Sequence, residues 1–466
     1  MIELTLGEVA DAVSGYLVAA DPATRVTGPV EYDSRLVAPG GLFVAFAGEK
    51  VDGHDYAAAA HAAGAVAVIA TRPPAPGAEP IPTVLVDDAR EAMAALAHTV
   101  VDRLPQLTIV GLTGSSGKTS TKDMVAQLLA DLGPTVAPPG SLNNELGHPY
   151  TVLKSTVDTR YLVLELGSRG IGHIRYLCEV ARPRIGVVLN VGVAHLGEFG
   201  SVEGIAQAKG ELVEALPEDG LAVLNADDPR VAAMAARTRA RVVCVGEAAG
   251  AELRAAGVVL DERGRARFNL VTPEGTAPVT LGMAGRHQVG NSLAAAAVAR
   301  ELGMLLPELA GALGRLRPVS TRRMDVFDRA DGVTVIDDSY NANPASTAAA
   351  LRALTAMSRG RRSIAVLGYM AEMGEYERAG HEEVGRLAAE LGVDLLVAVG
   401  APAAPILDGA AAMASWGGKS VQVTDQEEAV ALVRGELRPG DVVLVKGSRY
   451  RTWAVADALR VPEATA

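Results

Sequence analysis

The amino-acid sequence predicts an α/β protein built from three domains. A chain of 466 residues has room for about three domains of ordinary size. Short apolar runs alternate with helix-patterned segments along the chain, which is typical of sheets covered by helices. One run leads into a glycine-rich turn and then a helix, as in P-loop domains. We predict a small N-terminal α/β domain (1–88), a central P-loop domain with a parallel sheet (89–317) and a C-terminal Rossmann-like domain (318–466).

The N-terminal domain is predicted from three apolar runs and a helix. The runs are "LFVAFAG" at 42–48, "AVAVIA" at 65–70 and "TVLVDD" at 83–88. The next segment, "AREAMAALAHTVVDRLP", has the length and apolar spacing of a helix that leads into the second domain. A small sheet with one connecting helix is therefore expected here.

The turn "TGSSGKTS" predicts a nucleotide site, because backbone N–H groups at the start of a helix favour a bound anion. Lys118 can reach the outer phosphates and the Thr119 hydroxyl can ligate Mg²⁺. The glycines at 111 and 117 are six positions apart, so the loop is the variant GxxGxxGKT. The alternative, an ordinary turn with an exposed lysine, is disfavoured by the flanking strand and helix. The residues predicted to bind ATP here are Thr113, Gly114, Ser115, Ser116, Gly117, Lys118 and Thr119.

The rest of the central domain is predicted to continue a parallel sheet. Continuous apolar runs separated by helical patterns indicate strands buried on both faces. These runs are "YLVLELG", "IGVVLNVG", "LAVLNADD" and "RVVCVG". From about 251 to 282, shorter runs with polar turns predict an antiparallel extension at the sheet edge.

The third domain is predicted from five further strand-like runs that alternate with helical segments. Such alternation is typical of a doubly wound sheet. The runs are "GVTVIDD", "RSIAVLG", "DLLVAVG", "SVQVTD" and "DVVLVKG".

Composition excludes several classes of protein. A net charge of −12 argues against broad binding to nucleic acid and against stable membrane association, since both need a basic surface. Cys178 and Cys244 are the two cysteines, and both lie in apolar stretches, so we expect buried thiols in a reducing compartment. The N-terminal "MIELTLGEVADAVSG" lacks the features of a secretory signal, and there is no membrane-spanning run. We expect a cytoplasmic monomer.

Polar residues at the ends of the central strands are candidates for a metal site. Open α/β sheets bind ligands at this edge, where Glu165 and His195 follow two of the runs. Mg²⁺ prefers oxygen ligands, so Glu165 with Thr119 and phosphate oxygens would form a suitable site, and His195 is a softer ligand. The alternatives are a solvated carboxylate and an ordinary satisfied histidine. Lys209, on a predicted helix, would by itself be a surface charge.

Two polar segments of the C-terminal domain have alternative interpretations. "DDSYNANPAS" at 337–346 is either a turn that caps the following helix or a polar ligand surface, and its many donors and acceptors favour the second. "VKGSRYR" places Lys446 and Arg449 at a strand end, as a clamp for carboxylate or phosphate or as an exposed basic turn.

The order of the motifs resembles that of the Mur ligase family over nearly the whole chain. The resemblance implies an N-terminal domain for a UDP-sugar, a central ATPase and a Rossmann-like third domain. Within the family, "YNANP" and "NNELGHP" resemble the members that add D-alanyl-D-alanine to UDP-N-acetylmuramoyl-tripeptide through an acyl phosphate in peptidoglycan synthesis. The motifs are "TGSSGKTSTK", "NNELGHPYT", "LELG", "NVGVAHL", "AKGEL", "GRHQVGNSLAAAAVA", "TRRMDV", "DDSYNANPAS", "MAEMGE" with His381, and "KGSR".

The resemblance also implies roles for single residues. Lys118, Lys209 and His195 would be catalytic, and Lys209 matches the lysine that the family carbamylates. Mg²⁺ would be held by Thr119, Glu165, His195 and Lys209. Asn291 matches an adenine-contacting asparagine, and Arg323 and Asp337 match residues that contact the nucleotide from the third domain. The implied substrate-binding residues are Ser34, Arg35, Asn143, Asn144, Asn341, Asn343, Lys446 and Arg449.

The sequence departs from the family pattern at two positions, both in the third domain. Tyr369 replaces the aspartate of the usual "LGDM", and the glutamate usual after "KGSRxxxM" is absent. If that aspartate orients the incoming dipeptide, Glu372, Glu375 or His381 is the candidate to replace it.

Two rival functions are weighed against a ligase of this kind. A ligase of the same superfamily that extends folate with glutamate is disfavoured by the additional N-terminal domain and by "YNANP". A nucleotide-dependent switch or assembly ATPase would hydrolyse ATP without an acceptor, and the sequence has no long coiled coil or basic surface to serve it.

Overall fold

Three main sheets form the framework of the computed structural model, which describes residues 1–48, 51–74, 80–192, 196–448 and 452–460. They fall within the three predicted domains, and the expected three-domain α/β fold is confirmed. The bounds 1–88, 89–317 and 318–466 remain our proposal. Within the described residues, no helix is both long enough and apolar enough to cross a bilayer.

The N-terminal sheet has the strand order β2-β7-β6-β5-β4, in which β2 is antiparallel to β7 and the other pairs are parallel. β1 and β3 form a separate antiparallel pair. The strands are β1 Leu4–Thr5, β2 Tyr16–Val18, β3 Arg25–Val26, β4 Val30–Glu31, β5 Leu42–Val44, β6 Ala67–Ala70 and β7 Thr83–Leu85, and the helices are α1 Leu6–Ala12 and α2 Ala57–Ala62. The next helix, α3 Ala89–Asp102, leads from this domain into the central one.

The central sheet has the order β16-β15-β14-β13-β12-β11-β8-β10-β9. Its strands are β8 Thr108–Thr113, β9 Thr135–Val136, β10 Tyr161–Glu165, β11 Ile185–Val188, β12 Leu221–Asn225, β13 Arg241–Gly246, β14 Leu253–Leu260, β15 Arg265–Thr272 and β16 Gly275–Ala284. Its helices are α4 Lys118–Ala130, α5 Gly147–Val152, α6 His173–Val180, α7 Leu196–Phe199, α8 Val202–Glu214, α9 Pro229–Ala232, α10 Gln288–Glu301 and α11 Leu306–Arg315.

The predicted change of strand direction lies at one edge of this sheet. β14, β15 and β16 pair antiparallel, and buried residues alternate with less buried ones along β15, as expected of a sheet with one solvated face. At the other end, β8 lies between β10 and β11, so the chain leaves β8 first to one side and then to the other. The carboxyl ends of these three strands therefore form the crevice where α/β sheets bind ligands.

The C-terminal sheet has the order β17-β18-β22-β19-β20-β21, with β17 antiparallel to β18 and the remaining pairs parallel. Its strands are β17 Asp325–Asp328, β18 Thr334–Asp338, β19 Ser363–Gly368, β20 Leu395–Val399, β21 Lys419–Val423 and β22 Val442–Lys446. Its helices are α12 Pro344–Ser358, α13 Glu377–Glu390, α14 Pro405–Ala411, α15 Gln426–Glu436 and α16 Trp453–Arg460.

The apolar cores are not divided evenly among the domains. One continuous cluster joins the N-terminal sheet, α3 and one face of the central sheet, whereas each face of the C-terminal sheet has a cluster of its own. Cys178 is buried in the first cluster, as predicted, but Cys244 is only half-buried on β13, and both thiols are free. The expectation of two buried cysteines is thus correct for Cys178 alone.

Candidate active site

The predicted phosphate loop joins β8 to α4 at the carboxyl edge of the central sheet. Gly117 has a φ of +81°, which glycine adopts without steric cost. A Cβ atom at this position would lie 2.6 Å from Oδ1 of Asn291, so the close approach of Asn291 also requires glycine. Because the first N–H groups of a helix lack partners within it, a loop of this shape is suited to an anion.

Asn190, at the end of β11, braces the loop from the neighbouring strand. Its Oδ1 accepts a hydrogen bond from the Ser116 backbone N–H (2.9 Å), and its Nδ2 donates to the Ser116 carbonyl (3.1 Å). The hydroxyl of Ser115 accepts from the Gly192 backbone N–H (2.8 Å), and Thr113 donates to the carbonyl of Leu166 (2.9 Å). The sequence prediction missed Asn190, although its place in "LNVG" after an apolar strand was a usable signal.

Two cations and an oriented asparagine surround the loop. Lys118 Nζ donates to the Gly114 carbonyl (2.9 Å), and Arg323, which comes from the third domain, donates from Nη2 to Thr119 Oγ1 (3.3 Å). Arg323 also lies over the ring of Tyr340 at 4.1 Å, and its buried Nε has no hydrogen-bond partner in the described part of the chain. Asn291 is fixed behind the loop by a bond to Gln288 (2.8 Å). Its contact with adenine stays a prediction.

The charge balance around Lys118 favours a polyanionic ligand. Burial lowers the pKa of Lys118, the nearby Glu165 carboxylate raises that pKa, and the Arg323 guanidinium lowers it further. A buried donor without an acceptor, such as Arg323 Nε, is costly unless a ligand supplies the acceptor. The phosphate groups of a nucleoside triphosphate would supply both negative charge beside Lys118 and oxygen acceptors for Arg323 Nε.

Glu165 is a buried carboxylate at the end of β10 whose oxygens are held by three side chains. It accepts from Thr119 Oγ1 (2.9 Å), Ser141 Oγ (3.0 Å) and Asn143 Nδ2 (2.6 Å), and its exposed fraction is 1%. Asn143, predicted to bind substrate, therefore orients Glu165 in this structure. Thr119 and Glu165 place two hard oxygen donors side by side, which suits Mg²⁺.

Lys209 lies on α8 and is buried, with an exposed fraction of 5%. This burial contradicts the alternative of a surface charge. Burial lowers the pKa of Lys209 to about 7, and repulsion by the nearby Lys118 contributes. Within the residues that the structure describes, its ammonium forms no hydrogen bond. A lysine of this kind holds a large neutral fraction at physiological pH and is therefore a nucleophile.

The described residues contain no group of three or more His, Cys, Asp or Glu side chains suited to a metal ion. A magnesium site here would thus depend on Thr119, Glu165, ligand phosphates and a modified Lys209. His195 and Arg449 lie outside the described residues, so their predicted roles stay predictions.

Several predicted ligand residues form hydrogen bonds within the protein, and their contacts with substrate stay predictions. Asn343 caps α12 by accepting from the Ser346 N–H (2.8 Å), and Asn341 Oδ1 accepts from Ser448 Oγ (2.7 Å). In the central domain, Asn144 Oδ1 accepts from the Gly147 N–H (2.9 Å) at the start of α5. Within "DDSYNANPAS" the capping alternative thus describes Asn343, and the ligand-surface interpretation stays a prediction.

Lys446 and Asp337 are also engaged inside the C-terminal domain. Lys446 Nζ donates to the Asp338 carboxylate, to the Asp338 carbonyl (3.5 Å) and to the Asn341 carbonyl (3.1 Å). It is buried, so the alternative of an exposed basic turn does not describe Lys446, and its contact with substrate stays a prediction. Asp337 accepts from Ser339 Oγ (2.6 Å) and Arg460 Nη2 (3.1 Å), and its side chain is 1% exposed. The nucleotide contact expected of Asp337 stays a prediction.

The two positions that depart from the family pattern lie near α13 and α16. Tyr369 stacks on His381 with 5.4 Å between ring centroids and donates its hydroxyl to Glu377. His381 accepts from the Met370 N–H at Nε2 (2.9 Å), and its Nδ1 bonds the Glu377 carbonyl (2.6 Å). Both ring nitrogens are thus bonded to the backbone, and the suggestion that His381 replaces the missing aspartate stays a prediction.

In the N-terminal domain, Ser34 and Arg35 begin a short 3₁₀ helix, Ser34–Leu36, capped by Asp33. Asp33 accepts from the Arg35 N–H (3.0 Å) and pairs with its guanidinium, which lowers the pKa of Asp33 to about 2. The Arg35 side chain is 85% exposed, as a ligand-contacting group would be. Its contact with a UDP-sugar remains a prediction.

Comparison with known families accounts for the fold and for the phosphate loop. Three family models match: "Mur ligase family, catalytic domain" over 27–100, "Mur ligase middle domain" over 112–299 and "Mur ligase, glutamate ligase domain" over 322–449. The chain belongs to the Mur ligase family.

Individual relatives indicate which kind of Mur ligase the chain resembles. The chain is 50% identical to the UDP-N-acetylmuramoyl-tripeptide--D-alanyl-D-alanine ligase of Mycobacterium tuberculosis H37Rv, over 98% of both chains. It resembles a crystal structure of MurF from Acinetobacter baumannii with a TM-score of 0.86 and 33% identity, over 98% of this chain and 99% of that one. MurF from Thermotoga maritima, solved in complex with ADP, matches with a TM-score of 0.79 and 30% identity, over 93% and 97%.

Proposed function

We propose that the chain uses ATP to join D-alanyl-D-alanine to the terminal carboxylate of UDP-N-acetylmuramoyl-tripeptide, forming the pentapeptide precursor of peptidoglycan. The observation that carries the proposal is the similarity to a ligase of this name over 98% of both chains at 50% identity. The electropositive loop with an unpartnered buried Arg323 Nε supports the ATP-binding part.

An amine does not readily displace oxide from a carboxylate, because oxide is a very poor leaving group. Phosphorylation of the carboxylate removes this difficulty. Transfer of the γ-phosphoryl group of ATP to a carboxylate oxygen gives an acyl phosphate and ADP. The dipeptide amine then attacks the carbonyl carbon, and inorganic phosphate leaves from the tetrahedral intermediate. This chain would contribute by positioning the reactants and stabilising negative charge.

The loop residues divide that work. The N–H groups at the start of α4 and the Lys118 ammonium would hold the β- and γ-phosphates, after Lys118 exchanges its present bond to the Gly114 carbonyl for phosphate oxygens. Arg323 would add a planar donor from the third domain. The site would then be complete only when the two domains are together, which also keeps water from the acyl phosphate.

Mg²⁺ fits the same place, since Thr119 and Glu165 offer adjacent oxygen donors. When bound, it would neutralise phosphate charge and align the reacting oxygens. Neutral Lys209 can add its amine to carbon dioxide, releasing one proton and leaving an anionic carbamate. The modified side chain would be an oxygen ligand, in keeping with the low pKa of the unmodified lysine.

The decisive experiment measures ADP release from the purified chain with ATP and Mg²⁺ while the two other substrates are added singly and together. Release only when both are present, with a UDP-pentapeptide in the mass spectrum, is the expected result. Release that needs neither substrate would favour a nucleotide switch. Release with the UDP-tripeptide and an acceptor other than D-alanyl-D-alanine would correct the acceptor.

Lys118→Ala tests the phosphate loop. We expect ATP turnover to fall by about 10³-fold, since the variant lacks a charge aimed at the transferred group. The matched control is Lys419→Ala, which removes an exposed lysine of the C-terminal domain paired with Glu436. Normal turnover in Lys118→Ala would contradict the assignment of the loop.

Lys209→Ala tests carbamylation. The variant should lose most activity and recover part of it with added short carboxylates, which can occupy the place of the carbamate. Mass spectrometry of the intact wild-type protein under bicarbonate would check for the added carbon dioxide. Full activity in the variant would return Lys209 to a packing role.

A further inference from the structure

A row of polar side chains along α4 bonds to the segment that connects the central and C-terminal domains. Thr119, Asp123 and Gln127 are spaced four residues apart and therefore share one face of the helix, and Asp131 follows at its end. The linker, residues 316–324, joins α11 to β17 and passes along this face. We call Thr119, Asp123, Gln127 and Asp131 the linker track.

Each member of the linker track contacts a successive position of the connection in antiparallel order. Asp131 pairs with Arg315 at the end of α11 (2.9 Å), and Gln127 bonds both backbone groups of Arg317, with its Nε2 donating to the carbonyl (3.0 Å) and its Oε1 accepting from the N–H (3.0 Å). The Asp123 carboxylate accepts from the Ser320 N–H (3.1 Å). Thr119, the first member, accepts from Arg323 (3.3 Å).

The Asp123 contact with Ser320 is the best protected, whereas the two bonds from Gln127 to Arg317 are exposed. Asp123 is buried, and its other oxygen pairs with the buried Lys122 (2.5 Å), whose Nζ donates to the Pro138 carbonyl (2.7 Å). A carboxylate neutralised in this way has one oxygen left for the Ser320 N–H. The two bonds from Gln127 to one residue fix the register of the linker, because a one-residue slip would break both.

The backbone beyond the linker track is held in an uncommon conformation. Arg322 and Met324, on either side of Arg323, have φ values of +60° and +51°, which non-glycine residues rarely adopt. Such conformations persist where the surroundings fix them and are concentrated at functional sites. Here they direct Arg323 toward Thr119, with the Tyr340 ring behind its guanidinium.

We propose that Gln127 and Asp123 are positioning residues for the ligation. They hold the linker so that Arg323 contacts the phosphate loop and the C-terminal domain moves when the nucleotide binds. The proposal rests on the proposed function, in which Arg323 of that domain completes the ATP site. α4 begins at the loop that would bind phosphate, so a shift of the helix on binding moves every contact of the linker track together. Neither residue needs to touch a substrate.

Gln127→Ala tests the proposal, because alanine favours a helix and the variant removes only the bonds of this side chain. Gln127→Met keeps the bulk of the side chain without its hydrogen bonds. The matched control is Gln106→Ala, which removes a side chain that donates to the Val157 carbonyl (3.1 Å) away from the linker. The readouts are kcat and KM for ATP, the thermal midpoint, and the radius of gyration with and without an ATP analogue and the UDP-substrate.

In both Gln127 variants we expect kcat to fall about tenfold while KM for ATP changes less than about twofold, as for a misplaced but intact nucleotide site. The change in radius of gyration on ligand binding should shrink, and Gln106→Ala should behave like the wild type. Wild-type rates, or a wild-type scattering response in the variants, would overturn the proposal. A wild type that does not ligate would refute the proposed function, and the scattering response would still decide the positioning role.

Discussion

The N-terminal and C-terminal domains are attached to the central domain in different ways. On the N-terminal side, α3 and the strands share one buried apolar cluster with the central helices, and Leu96 of α3 is completely buried. On the C-terminal side, the contacts described above are polar: the linker track, and Arg323 on Thr119. A glycine pair adds a close backbone contact, since α7 meets the turn that precedes α13 at Gly197 and Gly374.

This difference separates a fixed junction from one that can move. Moving apart an apolar interface exposes surface to water at a cost of roughly 25 cal/mol per Å², whereas polar contacts can be exchanged for water at a smaller net cost. The candidate active site lies at the polar junction, where Arg323 of one domain reaches Thr119 of the other. We therefore expect substitutions at the apolar junction to change stability and substitutions at the polar junction to change rate.

Leu96→Ala should give the largest effect, and on stability. Removing a fully buried leucine side chain from α3 is expected to lower the free energy of unfolding by about 2–5 kcal/mol. Denaturant titration measures this loss, with Leu305→Ala, an exposed position at 65%, as the matched control. The folded variant at 25 °C should retain kcat within about twofold. A large loss of kcat without a loss of stability would contradict the division between the junctions.

Gly374→Ala should act mainly on rate. Gly374 has a φ of +56°, and a Cβ atom there would lie 2.8 Å from the Cα of Gly197, so alanine would force the two domains apart. We expect kcat to fall by about 10²-fold, or about 2.7 kcal/mol in activation free energy. Steady-state ligation kinetics provide the measurement.

The control for backbone strain is Gly440→Ala. Gly440 also has a positive φ, +88°, but nothing lies within 4 Å of the added Cβ atom. The Gly440→Ala variant should lose a similar free energy of unfolding through backbone strain alone and keep the wild-type kcat. Equal losses of rate in both variants would mean that strain, and not the contact between domains, causes the effect of Gly374→Ala.

The two junctions also differ in how far the sequence predicted them. The three sheets, α3 and the loop from Thr113 to Thr119 were predictable because they depend on local pattern: continuous apolar runs, helical spacing and glycines beside a lysine. The pairing of Thr119 with Glu165 followed from the general rule that strand ends meet at one edge. Such features need no knowledge of distant contacts.

The polar contacts across domains could not be read in the same way. Nothing local in Gln127 or Asp123 indicates a partner more than 180 positions away at Arg317 or Ser320. The amides of "YNANP" are ambiguous for a related reason, because asparagine serves capping and ligand binding equally well. The structure shows that Asn343 caps α12. The capping interpretation could have been preferred from the proline that follows Asn343, since proline favours the first position of a helix.

The pH-dependent effect concerns acid stability at the apolar junction. His148 on α5 is buried, and neither ring nitrogen forms a hydrogen bond in the described residues. Burial lowers the pKa of His148 to about 4. Between about pH 6.5 and pH 4 the unfolded chain therefore binds a proton that the folded chain does not, so the free energy of unfolding falls as the pH falls, by about 1.4 kcal/mol per pH unit from this group.

His148→Leu should remove this contribution and flatten the pH dependence of stability between pH 6.5 and pH 4, measured by urea titration at several pH values. His61→Leu, at a histidine on α2 whose Nδ1 bonds the Ala65 carbonyl (2.9 Å), is the matched control and should keep the wild-type slope. Because α5 packs beside α3, a variant with an unchanged slope would mean that water reaches His148 through the N-terminal junction. The N-terminal junction would then admit more water than its apolar composition implies, and the two junctions would differ less in how easily they open.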